Sequence, residues 1–198
     1  MEWVNSIEEW RKEMNINQMI LLGHSLGGFL ASSYALEYPD RVRHLMLVDP
    51  WGFPVRPPDS ERQISLPTWV RTVASVLSLF NPLATVRAAG PWGKQLVKRF
   101  RPDLARKFAG HHGDDPESVE AIFDYIYHCN AQTPSGETAF KNMMVPFGWA
   151  KRPMMERLPS LKPTVPVTFI YGSRSWIDSG PGYEMEYLLR KESYVDVR

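Results

Sequence analysis

Five residues, Gly23-His24-Ser25-Leu26-Gly27, set a serine hydroxyl between two glycines, and Gly28 follows at once. A serine hydroxyl is a poor nucleophile until a base takes its proton. The G-x-S-x-G spacing answers a geometric need. On a sharp strand-to-helix turn the serine Oγ stands above the sheet, and the crowding of that turn calls for small residues at Gly23 and Gly27. A helix starting near Leu26 aims its first N–H groups at the same point, where positive potential favours a developing oxyanion. The Leu26 N–H is the expected first oxyanion donor. His24, beside the serine, points away from it on such a turn and is expected to be structural.

Such a serine needs an acid and a base, which follow it in the order Asp or Glu, then His. Asp178 is the leading acid, six residues past Gly172 on the loop that follows an apolar run. Asp49, in Leu47-Val48-Asp49-Pro50, is the rival. No histidine follows His128. His44 and Asp49 form H-x-x-x-x-D, but a buried strand would hold them apart, so the match is read as accidental. His111 and His112 precede Asp114 and Asp115 without convincing spacing for a metal, and none is expected. His128 lies beside Cys129 and is expected to pack in a helix.

The elements that would position these groups can be read from periodicity. Ser6 and Glu9 have capping-box spacing, and Val4, Ile7, Trp10 and Met14 recur as one face of a first helix. Met19-Ile20-Leu21-Leu22 is a short apolar run, as expected of a buried parallel strand. The serine turn follows, then a helix to about Tyr38, stopped by Pro39. Val42 to Val48 is a second strand, and Val165 to Tyr171 a third. Pro54 to Pro67 is an irregular connection. From there to Leu158 the pattern is helical, with Asn81-Pro82 and Asp115-Pro116 as starts and Gly90 and Gly110 as stops. Tyr183 to Arg190 is a last helix. Strands alternating with helices imply a parallel sheet with helices packed on it.

The 198 residues suffice for a core, and 43% hydrophobic with 23% charged residues is a globular balance. Net charge is +1, so bulk charge indicates no partner. A single cysteine, Cys129, excludes an intrachain disulfide and fits a reducing compartment. No apolar run approaches the ~18 residues of a membrane span, and Met1-Glu2-Trp3 does not open a signal peptide. Between Arg87 and Lys107, seven basic residues stand against Asp103 alone, with Trp92, Phe100 and Phe108 among or beside them. Two readings stay open: a surface for anionic headgroups, or a solvated helix face balanced by acids elsewhere. No recognition motif accompanies the charge, so nucleic acid is not expected.

Several longer blocks carry a resemblance. They are Ser6-Ile7-Glu8-Glu9-Trp10-Arg11, Met19 to Gly28, Leu47 to Pro54, Asn81-Pro82-Leu83-Ala84, Arg101-Pro102-Asp103, Tyr125 to Asn130, Pro134 to Phe140 and Gly148-Trp149-Ala150. Through them the chain resembles the abhydrolase-domain-containing protein 4 and 5 subfamily of α/β-hydrolases, which includes the comparative gene identification 58 protein. The resemblance implies an α/β fold: a parallel-sheet core of three recognisable strands, with a helical lid inserted after the second. Residues 1–52 would be the central core with the nucleophile elbow, 53–162 the lid, and 163–198 the core strand and helix carrying the acid.

The resemblance also implies lipid metabolism. One branch keeps the serine and is similar to a lysophospholipase acting on N-acyl phosphatidylethanolamines, with a phospholipid or lysophospholipid substrate and no cofactor. The other has asparagine there. It is a non-hydrolytic coactivator of triglyceride lipase at lipid droplets, with lipase or perilipin-type partners, and is also linked to lysophosphatidic acid acyl transfer. Ser25 favours the first branch. Arg174-Ser175 is similar to the second, where that arginine serves lipase activation. A cytoplasmic protein, peripheral on lipid droplets or membranes, is implied. Two departures stand out: the family's early strands, with the second oxyanion donor, and its C-terminal catalytic histidine are absent. The chain therefore looks like an internal fragment or short isoform with little or no esterase activity of its own. The strand at Met19–Leu22 would then expose an edge.

Overall fold

The computed structural model describes residues 2–58, 82–108, 116–145 and 148–198. The chain divides into two compact units, residues 1–61 with 143–198, and residues 62–142. The first unit includes residues 143–162, which the sequence reading assigns to the lid.

In the first unit, α1 (Glu2–Glu13) leads to β1 (Met19–His24), α2 (Leu26–Glu37) and β2 (Val42–Val48). Helix α1 starts four residues before the expected Ser6. Ser6 is interior, and its Oγ donates to Glu2 O at 3.0 Å, so no capping box forms. The expected apolar face is also corrected. Val4, Glu8 and Arg11 are buried, whereas Trp10 and Met14 are 52% and 56% exposed. An ion pair decides this. Arg11 grips the Glu8 carboxylate through Nε and Nη2 at 2.8 and 2.7 Å, and Tyr34 Oη of α2 donates to the same carboxylate at 2.7 Å. Arg11 also reaches Ile16 O, closing the turn after the helix. The Arg11 guanidinium, foremost, holds the Glu8 carboxyl down to about 2.

Strands β1 and β2 pair in parallel, with Gly23 opposite Leu47 and His24 opposite Val48. β2 in turn pairs with β5 (Val167–Ile170), placing Val48 opposite Ile170. A fourth strand, β6 (Val195–Val197), extends the sheet to the order β1-β2-β5-β6. Sequence reading finds the first three and misses β6, whose three residues centre on Asp196. β1 is an edge strand, as expected. One face of the sheet supplies the core: Leu45, Leu47, Val167 and Phe169 are fully buried, as is Tyr34 of α2. On the other face Ile20 and Leu22 are 64% and 57% exposed.

The rest of this unit includes the antiparallel pair β3 (Met144–Val145) and β4 (Trp149–Ala150). Sequence reading takes these residues as helical. Then come α8 (Met154–Arg157) and, past β5, α9 (Gly180–Glu184), which continues as a π-turn over Met185–Leu189. Outgoing and returning chains run together: Met154 N–H donates to Gly52 O at 2.9 Å and Met155 N–H to Phe53 O at 3.1 Å. Buried Arg190 donates to the carbonyls of Leu158, Leu161, Lys162 and Val165, fastening the approach to β5.

The second unit holds α3 (Pro82–Ala88), α4 (Gly93–Phe100), α5 (Asp103–Phe108), α6 (Pro116–Ala131) and most of α7 (Ser135–Met143). Both α3 and α6 open on the expected proline, and Gly90, at φ 52°, follows the end of α3. Asn81, Gly110 and Asp115 lie outside the described residues, as does most of the proline-rich connection. The basic stretch is largely balanced inside the unit. Lys94 pairs with Glu120 and Asp124, Lys98 with Glu120, Arg87 with Glu137, and Arg101 with Asp103. Arg99 is exposed, between Trp92 at 62% and Phe100 at 73% exposure.

Candidate active site

Ser25 sits where β1 becomes α2, with φ 53° and ψ −119°. That conformation is strained for a residue with a Cβ, by about 1–3 kcal/mol, and persists only where the surroundings over-determine it. Here they do. Ser25 N–H donates to Val48 O at 3.0 Å, and Ser25 O accepts from Gly28 N–H at 3.0 Å and Trp51 N–H at 3.1 Å. The Ser25 side chain does not cap α2, so its Oγ is not spent on the helix end. The Leu26 and Gly27 N–H groups that open α2 have no intrahelical acceptor and carry the positive end of the helix dipole.

The crowding that calls for glycine is real at Gly23. A Cβ there would lie 2.3 Å from Gly27 O and 2.5 Å from Gly27 C. At Gly27 it would meet nothing within 4 Å, which corrects the expectation that both motif glycines are sterically required. The second crowded position is Gly28, where a Cβ would lie 2.8 Å from Pro50 Cβ. The constraint there comes from the segment after β2, which the motif alone does not reveal.

The strand register brings three chain exits to one sheet edge. Ser25 follows β1, Asp49 follows β2, and Tyr171-Gly172 follows β5. Asp49 is held at φ 40°, its N–H donating to Ile170 O at 2.9 Å and its Oδ1 accepting from Gly172 N–H at 3.1 Å. Asp178 is exposed on the loop between Gly172 and α9, its Oδ1 accepting from Gly180 N–H at 3.0 Å. It lines an open cleft of about 400 Å³ with Tyr171, Ser175, Ile177, Tyr183 and Arg198. Burial, foremost, pushes the Tyr171 phenol above its ordinary range. Its ring lies against Gly182 of α9, where a Cβ would come within 2.8 Å.

The histidines fall elsewhere. His24 ends β1 and is exposed. His44 Nε2 is 2.8 Å from Thr168 Oγ1, and its ring meets Tyr194 edge-on. Five strand steps, roughly 16 Å, separate His44 from Asp49. His128 is on α6, its ring against Tyr127, beside the exposed Cys129. His111 and His112 lie outside the described residues. Among the described residues no cluster of His, Cys, Asp and Glu could hold a metal ion. Arg174 is exposed, two residues from Trp176 at 83% exposure.

Sequence reasoning overlooked Trp51. Its N–H holds the Ser25 carbonyl, its Nε1 donates to Gly148 O at 2.9 Å, and its ring packs 5.3 Å from that of Phe29. It thereby ties the serine turn to Gly148, just before β4. The sequence marks it only as a member of the Leu47–Pro54 block, two residues past Asp49.

A family model described as alpha/beta hydrolase fold matches residues 2–182. The chain is 60% identical over 194 residues to the (lyso)-N-acylphosphatidylethanolamine lipase of Bos taurus, covering 98% of this chain and 55% of that protein. It is 53% identical over 194 residues to the 1-acylglycerol-3-phosphate O-acyltransferase ABHD5 of Rattus norvegicus, covering 98% and 54%. The chain thus spans about half the length of the curated relatives it matches. Among solved structures it is similar to a membrane phospholipase A described as a bacterial virulence factor, at TM-score 0.57 and 18% identity over 98% of this chain and 53% of that one. It is also similar to a meta-cleavage product hydrolase from Pseudomonas fluorescens IP01, at TM-score 0.52 and 17% identity over 99% and 61%. At such identities the two structures show the fold alone. With the elbow geometry at Ser25 and relatives in the subfamily the sequence resembles, the chain belongs to the alpha/beta hydrolase fold family.

Proposed function

We propose that the whole protein hydrolyses lipid esters of the lysophospholipid or N-acyl phosphatidylethanolamine type, with Ser25 as nucleophile. The observation that carries this is the strained backbone of Ser25, its N–H donating to Val48 O and its carbonyl accepting from Gly28, Phe29 and Trp51, while its hydroxyl is left uncommitted to the helix end. The 60% identity to a protein named as such a lipase supports the substrate class. In this reading Ser25 Oγ attacks the ester carbonyl and a histidine takes its proton. The Leu26 N–H stabilises the oxyanion, and the proton passes to the departing alcohol. Water then releases the acid from the serine ester. Asp178 orients the histidine, which these 198 residues do not supply beyond Asp178. Hydrolysis of a lyso-N-acyl phosphatidylethanolamine by a chain of the relatives' length tests this. Ser25→Ala should lower kcat by at least about 10³-fold and Asp178→Asn by about 10³ to 10⁴-fold. Activity that survives Ser25→Ala would refute the assignment.

A second reading is favoured by the exposed Arg174 and Trp176 on the acid's loop and by 53% identity to a protein named as an acyltransferase. It is a lipid-droplet coactivator of a triglyceride lipase, with lipase or perilipin-type partners, or a lysophosphatidate acyltransferase. Lipase stimulation that survives Ser25→Ala and fails with Arg174→Ala would select coactivation. Transfer of labelled acyl-CoA to lysophosphatidate would select the acyltransferase. No helix among the described residues is long and apolar enough to cross a membrane. We place the protein in the cytoplasm, peripheral on membranes or lipid droplets. Arg99, Trp92 and Phe100 are the exposed groups of the second unit best suited to that contact.

A further inference from the structure

We infer that Asp49 is a positioning residue that fastens the loop carrying Asp178, and not the acid of the triad. This rests on the reading in which Asp178 orients the base. Two carboxylates stand at the same sheet edge, and sequence position suits either one to the acid's role. Their hydrogen bonds separate them. Asp49 brackets the exit of β5 from both sides, its N–H donating to Ile170 O at 2.9 Å and its Oδ1 accepting from Gly172 N–H at 3.1 Å. A Cβ on Gly172 would lie 3.3 Å from Asp49 Oδ2, so the carboxylate is packed against that peptide as well as bonded to it. The backbone at Asp49 accepts φ 40° to make this clasp.

From Gly172 the bonds continue link by link. Ser175 N–H donates to Gly172 O at 2.9 Å, Ile177 N–H to Ser175 Oγ at 3.2 Å, and Gly180 N–H to Asp178 Oδ1 at 3.0 Å. The loop is thus tied at its start by Asp49 and at its end by Asp178 capping the entry to α9. One Asp178 oxygen is committed there, its other oxygen has no hydrogen bond among the described residues, and the residue lines the cleft. An anchor needs an acceptor oxygen, whereas a triad acid needs a negative charge beside an imidazolium. Asparagine keeps the first property and loses the second.

The test is amide hydrogen exchange by NMR on the 198-residue chain, as wild type, Asp49→Ala and Asp49→Asn. Asp49→Ala should speed exchange at least tenfold at Gly172 and at Gly180, with Leu47 unchanged. Asp49→Asn should stay within threefold of wild type at both. Exchange unchanged in Asp49→Ala at either glycine overturns the inference, as does Asp49→Asn behaving like Asp49→Ala. If Asp49→Ala loses its far-UV circular dichroism, Asp49→Asn decides alone: threefold or less supports the anchor, and tenfold or more overturns it. None of these rates depends on Ser25 or on turnover, so the inference can fail while the hydrolase reading stands. In the full-length hydrolase, Asp49→Asn should keep kcat within threefold, and Asp178→Asn should not. Equal losses in both would return Asp49 to the acid's role.

Discussion

Alanine at Gly23 and at Gly27 should have opposite consequences, although the two glycines occupy equivalent places in the motif. At Gly23 the new Cβ would sit 2.3 Å from Gly27 O, 2.5 Å from Gly27 C and 2.7 Å from Gly28 N, all backbone atoms of the first turn of α2. Reaching the ~3.5 Å of an ordinary contact requires that turn to move by about 1.2 Å. The turn cannot move alone, because Gly28 is itself against Pro50 and the Ser25 carbonyl holds the N–H groups of Gly28, Phe29 and Trp51. Overpacking of this kind costs about 1–3 kcal/mol, and a rigid backbone neighbour places Gly23→Ala near 3. For a domain of this size that is roughly 6–12 °C in Tm. Gly27→Ala meets open space within a helix, where alanine gains up to about 1 kcal/mol over glycine. Urea denaturation of the two variants, read by circular dichroism, measures the difference. Equal destabilisation by both, or a neutral Gly23→Ala, would refute the steric account of the elbow.

Three other outcomes follow from the same structure. Ser25→Gly should relieve the positive φ and stabilise the chain by about 1 kcal/mol in urea titration while removing the nucleophile; destabilisation would mean that Ser25 is unstrained. Glu8 has its pKa lowered to about 2 from an ordinary 4.5, so its contribution is full above about pH 4.5 and is lost as pH falls towards 2. Acid unfolding followed by tryptophan fluorescence should therefore flatten in that window in Glu8→Gln, and an unchanged slope would contradict it. Arg190→Met should cost about 3 kcal/mol, because carbonyls of the Leu158–Val165 segment lose their buried donor. A change under 1 kcal/mol in the same titration would show that those carbonyls find other partners.

The sequence made the sheet's centre legible because buried parallel strands are continuous apolar runs. β1, β2 and β5 fall where Met19–Leu22, Val42–Val48 and Val165–Tyr171 predict, to within two residues. β6 escaped because three residues with an aspartate at their centre carry no such signal. α1 was misread because periodicity assumes that apolar residues face inward, and here a glutamate–arginine pair is buried through mutual contact and a tyrosine. The serine and its turn were legible because the motif is local. The crowding at Gly28 was not, since Pro50 arrives from another strand. The Asp49–Gly172 bond joins residues 123 positions apart, so no spacing rule could have ranked the two aspartates by what they hold.

Labelling by a serine-directed fluorophosphonate tests the central claim most directly, since it reads nucleophilicity at Ser25 without a chosen substrate. The 198-residue chain should label weakly, because Ser25 has its turn and its helix N-terminus but no histidine after Asp178. A chain of the relatives' length should label strongly and lose the label in Ser25→Ala. Strong labelling of the 198-residue chain that Ser25→Ala abolishes would contradict the need for a further histidine. Labelling of the longer chain that survives Ser25→Ala would contradict Ser25 as the nucleophile.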